Sequence, residues 1–196
     1  RDRFTGARRE ELCALRWADV DFERATIRFE RSMQRIPGAG VVFAPPKTKR
    51  SRRIIRVGDN CIELLREYRQ IQREQRLRMG SAWVRTVDIC GKTIKNDLIF
   101  TRADGTPFDP HSITSWFSKF LKANDLTSAH FHSLRHSNAT LLIADHVPVS
   151  AVSGRLGHAN ISTTLNIYTS AIQSADAAAA NSLESTFERI KEKNHA

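Results

Sequence analysis

Between residues 25 and 57 the apolar positions come in short runs at strand spacing, and after residue 60 they recur at helical spacing; this change of period leaves few folds open. Ile27 and Phe29 share one face of an expected strand at 25–29, Val41 to Phe43 form a second, and Arg53 to Val57 a third. Gly38-Ala39-Gly40 supplies a turn, and Pro45 and Pro46 stiffen the link from the second strand to the third, which together read as a hairpin with a basic tip. Behind them, Ile62, Leu65, Tyr68 and Ile71 fall at three-residue steps until Gly80. Ile113, Trp116, Phe117, Phe120 and Leu121 follow Pro110 as a wide apolar stripe that reads as core. Leu134, Ala139, Leu142 and Ile143 belong to a helix opened by His132, and Pro148 and Gly157 bound the next. Ile161, Leu165 and Tyr168 stand at i, i+4 and i+7, which describes an amphipathic helix packed through Ile161 and Leu165. The expected fold class is mainly α with a small antiparallel β-sheet (α+β). A first helix carrying Leu12 and Leu15 is expected to end at Asp19-Val20-Asp21, Ser81 to Asn96 to be loop or weak strand, and Leu98 to Phe100 to be a short buried strand.

With 196 residues, 40% of them apolar, the chain can enclose one sizeable core. Its 31 Lys and Arg against 21 Asp and Glu leave a formal charge of +10, which favours a polyanionic partner. Lys47, Lys49, Arg50, Arg52 and Arg53 concentrate in one short segment, the expected contact to phosphates. An anionic membrane surface fits less well, because these charges do not lie opposite bulky apolar residues on one long helix. No run of about 18 apolar residues and no signal-peptide pattern is present, so a cytoplasmic protein is expected. Cys13, Cys61 and Cys90 are odd in number and far apart, and read as buried reduced thiols.

Chemistry-bearing residues are spread along the chain. Arg8 is expected in the first turn of a helix, where free N–H groups and the helix dipole also favour an anion, with Glu11 placed to orient Arg8 or Arg9. His132 and Arg135 share a helix face, and His158 precedes Tyr168 by about three turns. Taken singly, Arg8 reads as a solvated charge, Lys47 as part of an electrostatic footprint, and Tyr168 as a core residue. His130, His132 and His136 admit a metal hydrolase, but the Glu of a His-Glu-x-x-His helix is missing. One phosphate group would account for the whole set.

In order, Thr-Gly-x-Arg-x-x-Glu-Leu at Thr5 to Leu12, Pro-Lys-Thr-Lys at Lys47, His-x-Leu-Arg-His at His132 to His136, and Leu-Gly-His with Tyr168 ten residues later resemble the tyrosine recombinase (phage integrase) family. The resemblance implies a catalytic-domain fold of that family and site-specific DNA cleavage and rejoining through a 3′-phosphotyrosyl intermediate. It implies Tyr168 as nucleophile, Arg8 and Arg135 as clamps on the non-bridging oxygens, and His132 as the acid/base group. Lys47 would protonate the departing 5′ oxygen, with Lys49 as its rival, and His158 would support the transition state. No metal or nucleotide cofactor is called for, since the covalent link conserves the bond energy. Expected partners are double-stranded DNA, further copies of the chain as a tetramer on DNA, and an accessory directionality protein, with no membrane.

The family places more helical sequence and a separate DNA-binding domain before the Thr-Gly-x-Arg motif, where four residues stand here. The chain is therefore expected to be an N-terminally truncated catalytic domain at 1–172, with a C-terminal helix at 173–196 that packs in cis or on a neighbouring subunit. A DNA-binding fragment without activity is the alternative.

Overall fold

The computed structural model describes residues 5–46, 48–126, 130–169 and 183–184, with the backbone alone for Lys49 and His132. Lys47 and all but two residues of the expected C-terminal helix lie outside the described residues.

The architecture is α+β. Strands β1 (Val20–Asp21), β2 (Thr26–Phe29) and β5 (Arg53–Arg56) form an antiparallel sheet, while β3 (Ser32–Ile36) and β4 (Gly40–Ala44) form a separate hairpin. A third antiparallel pair, β6 (Thr86–Ile89) and β7 (Lys92–Lys95), lies farther along. The helices are α1 (Arg9–Cys13), α2 (Asp59–Met79), α3 (Pro110–Ala123), α4 (Phe131–Ala144) and α5 (Val149–Leu156), with 162–169 helical as well, here α6.

The expected hairpin of the second and third strands does not form. Register places Ile27 opposite Ile55 and Met33 opposite Phe43, so β5 joins β2, and β4 turns back on β3. All four of these side chains are buried, which is the reason for the exchange: each pairing carries its own core. The basic segment at 45–52 consequently crosses between two sheets and is not a hairpin tip.

The first helix also ends early, at Cys13. From there the backbone pairs with 97–99: Leu15 accepts from Ile99 N at 2.9 Å and Trp17 N donates to Asp97 O at 2.9 Å. Ladder bonds thus replace helix bonds, and the Leu98 region makes a single bridge with Arg16, not a strand. The unpatterned stretch after Ser81 folds into the β6–β7 hairpin through Cys90 (φ 54°) and Gly91 (φ 76°), a two-residue turn with both residues left-handed.

Among the described residues three apolar clusters result. Ile27, Phe29, Ile55, Val57 and Ile62 join the first sheet to α2. Cys13, Met33, Phe43, Val87 and Leu98 join α1 to the two hairpins. Ala139, Val152 and Leu156 join α4 to α5. Side chains like Phe29 and Met33, 2% and 0% exposed, each stabilise by about 1.5–3 kcal/mol.

Several residues expected in the core are exposed. Trp116 (62%) and Phe120 (45%) stack on each other at 5.5 Å on the open face of α3. On α2, Ile71 is exposed and Gln72 is buried instead, with its amide donating to Leu98 O and Ile99 O and its oxygen accepting from Trp17 Nε1. Of the cysteines, Cys13 alone is buried; Cys61 is half-buried and Cys90 exposed.

Candidate active site

The site begins with a glycine. Gly6 has φ +64°, and a Cβ there would collide with Leu156 Cδ2 and lie 2.7 Å from Asn138 Oδ1. Absence of a side chain lets the Thr5-Gly6 turn seat directly on α4 and α5. The Gly6 carbonyl then accepts from Arg135 Nη1 at 2.7 Å, tying the N-terminal motif to the middle of α4.

Arg135 is 5% exposed, and its Nη2 is buried without a hydrogen-bond partner among the described residues. Burial, and then the charge of Arg8, push its pKa down to about 10, which still leaves it cationic near neutrality. A buried guanidinium with one unsatisfied NH₂ is costly to maintain unless an anion completes it.

Arg8 stands one position before α1, as its N-cap and not within its first turn. Its backbone N and Nη1 both donate to Glu11, at 2.8 and 2.9 Å, and Nη2 donates to Gly157 O at 3.1 Å. Glu11 is 6% exposed. Burial pushes its carboxyl up, but the Arg53 hydrogen bond and charge, reinforced by Arg8, outweigh that and hold it below its ordinary value.

Arg53 was expected to meet DNA. It does not face outward: Nη1 and Nη2 grip Glu11 at 3.0 and 2.8 Å, Nε donates to Arg155 O at 2.7 Å, and the guanidinium lies 4.5 Å from the Phe29 ring centroid. Alternation along β5 explains the correction, because Arg53 and Ile55 take the inward face while Arg52, just ahead of the strand, and Ile54 are exposed. Arg50 is exposed as well and donates to Ala159 O at 3.1 Å, so the basic segment runs beside His158. The backbone of Lys49 lies in a 3-10 turn of that segment.

Gly157 closes α5 in the left-handed conformation (φ 68°). His158 follows, 8% exposed, with Nδ1 2.7 Å from Thr164 Oγ1. Burial, then Arg135 and Arg8, push its pKa down to about 4, so the ring is neutral near neutral pH. On α6 the buried position is Thr164, with Ile167 half-buried, whereas Ile161, Leu165 and Tyr168 are 41%, 44% and 38% exposed. The expected packing stripe is therefore the open face, and the Tyr168 phenol makes no hydrogen bond with Arg8, Arg135 or His158.

Arg8 and Arg53 both pair with one carboxylate, Glu11, while Arg135 feels only its charge, so the cluster of three guanidiniums retains an excess of positive charge. Beside it a cleft of about 580 Å³ is lined by Arg8, Glu11, Arg35, Pro46, Thr48 and Ala159, among others, so the residues flanking position 47 face the same space as Arg8. Arg135, His158 and Tyr168 are not on its wall. The backbone of His132 lies in the first turn of α4, three residues before Arg135.

The α+β fold and this cluster define a domain with a partly buried excess of positive charge. The chain belongs to the phage integrase family, whose profile matches residues 3–174. It is 32% identical over 191 residues to a tyrosine recombinase XerC-like protein of Caldanaerobacter subterraneus subsp. tengcongensis, covering 93% of this chain and 47% of that one. It is 30% identical over 164 residues to the ICEBs1 integrase of Bacillus subtilis, covering 84% and 41%. Among solved structures, the Tn1549 transposon integrase in complex with transposon right end DNA superposes with a TM-score of 0.71 at 24% identity, covering 84% of this chain and 50% of that one. XerA recombinase superposes at 0.61 and 24%, covering 88% and 53%. The chain thus spans about half the length of the curated relatives it matches.

Proposed function

We propose that this chain is the catalytic part of a tyrosine recombinase that cuts and rejoins DNA at a specific site. The Tyr168 oxygen attacks a backbone phosphorus, the bond to the 5′ oxygen breaks, and a 3′-phosphotyrosyl link and a free 5′-hydroxyl result. Arg8 and Arg135 hold the non-bridging oxygens as negative charge builds, and His158 donates a hydrogen bond to one of them. His132 takes the phenol proton, and Lys47 gives one to the leaving oxygen. Attack on the phosphotyrosine by a 5′-hydroxyl of another strand rejoins the DNA in exchanged form. Arg50, Arg52 and Lys49 track the flanking backbone.

The buried Arg135, with one guanidinium nitrogen unpaired beside Arg8 and His158, is the observation that carries this reading. It supports a phosphate clamp in which the protein has prepaid the desolvation of the cation. Assembly as a tetramer on DNA, an accessory directionality protein and a cytoplasmic location form part of the same proposal; no described helix is long and apolar enough to cross a membrane.

The test is a nicked duplex carrying the repeats that flank the parent gene, which loses a short fragment on cleavage and traps the covalent intermediate. A stable adduct absent from Tyr168→Phe is expected. DNA binding without any adduct would instead identify a binding fragment without activity.

A further inference from the structure

Thr164 is 0% exposed on α6, one turn ahead of Tyr168, and its Oγ1 lies 2.7 Å from Nδ1 of His158. A buried hydroxyl hydrogen must find an acceptor, and this imidazole nitrogen is the one the described residues place against it. A neutral imidazole has one donor and one acceptor nitrogen, and the ring here is neutral near pH 7 because burial and the charges of Arg135 and Arg8 disfavour its protonation. With Thr164 donating, Nδ1 is the bare nitrogen and the hydrogen sits on Nε2.

We infer that Thr164 is a positioning residue that locks His158 in the Nε2–H tautomer, so that the ring presents a hydrogen-bond donor, not a lone pair, to the phosphate oxygen clamped by Arg8 and Arg135. A lone pair aimed at that oxygen would repel the charge the transition state gathers. The same bond fastens the turn that delivers Tyr168 to the loop that carries His158. The catalytic consequence rests on the recombinase reading; the tautomer does not.

Nitrogen-15 NMR of histidine-labelled protein reads the tautomer directly, and single-turnover cleavage of the nicked duplex reads its consequence. In the parent and in Thr164→Ser, His158 is expected to carry its hydrogen on Nε2, and in Thr164→Val to populate both tautomers. Cleavage in Thr164→Val should fall by about 10-fold, the scale of one hydrogen bond, with DNA affinity within about twofold and with recovery in Thr164→Ser. A parent with the hydrogen on Nδ1, or a Thr164→Val protein that cleaves like the parent, overturns the inference. Should Thr164→Val fail to fold, Thr164→Ser decides: retention of the Nε2–H signal and of cleavage supports the assignment, and loss of either overturns it. A parent that forms no adduct removes the recombinase reading, and the spectra alone then score the tautomer.

Discussion

Arg53 grips Glu11 through two parallel hydrogen bonds, Nη1–Oε1 at 3.0 Å and Nη2–Oε2 at 2.8 Å, with both side chains 6% exposed. Glu11 in turn holds Arg8 by its backbone and its guanidinium, so a residue on β5 sets the position of a cation at the start of α1.

Breaking one side of a buried pair strands the other charge, which costs about 3–5 kcal/mol. Arg53→Gln and Glu11→Gln should each lower the melting temperature by on the order of 10 °C, whereas a double replacement by Met at 53 and Leu at 11 should lie closer to the parent in stability. Differential scanning calorimetry of the four proteins checks this; equal melting points for parent and single variants would mean the pair is not holding the fold.

Salt dependence should separate the exposed basic residues from the buried one. Arg52→Ala is expected to reduce the slope of log K against log salt by about 1, the share of one phosphate contact, while Arg53→Gln leaves the slope unchanged in whatever protein remains folded. Binding titrations at several salt concentrations decide between them.

Arg135→Ala should reduce single-turnover cleavage by about 100-fold or more, since it removes a donor aimed at the developing charge. Overall DNA affinity should change little, because the exposed basic residues carry nonspecific binding. Equal cleavage by variant and parent would take Arg135 out of the clamp.

Acid should weaken the fold through His158. Its folded pKa, about 4, lies below the ordinary value of 6.5, so between these limits the unfolded chain binds a proton that the native one refuses. Stability is full above about pH 6.5 and is lost as pH falls towards 4, by on the order of 2 kcal/mol between pH 7 and pH 5. Urea melts of the parent and His158→Asn at both pH values isolate the effect: the variant should show a smaller loss. Glu11, whose folded pKa is also depressed, contributes in the same direction but only as pH falls below its unfolded value of about 4.5, outside the interval compared.

The α+β class, the α2 boundary at Gly80 and the α5 stop at Gly157 were legible from period and caps alone. Strand partnership was not, because alternation says which residues face inward and nothing about which strand lies opposite; β3, with Arg31, Gln34 and Arg35 around Met33, hid its single buried anchor. The same limit misplaced Arg53, whose basic neighbours suggested solvent while its position on the pleat turned it to Glu11. On α6 the apolar stripe pointed to Ile161 and Leu165, yet a hydrogen bond to His158 and contacts through Ile167 draw the opposite face inward. Polar anchors of this kind carry no hydrophobic signal, and Thr164 was missed for that reason.

The most direct measurement of the central claim is identification of the residue joined to DNA. Protein trapped on the nicked duplex would be digested with protease and nuclease and the linked peptide sequenced by mass spectrometry. The account predicts a nucleotide attached through its 3′-phosphate to Tyr168, with a free 5′-hydroxyl on the released fragment. A link to any other residue, or a 5′-phosphate attachment, would contradict it.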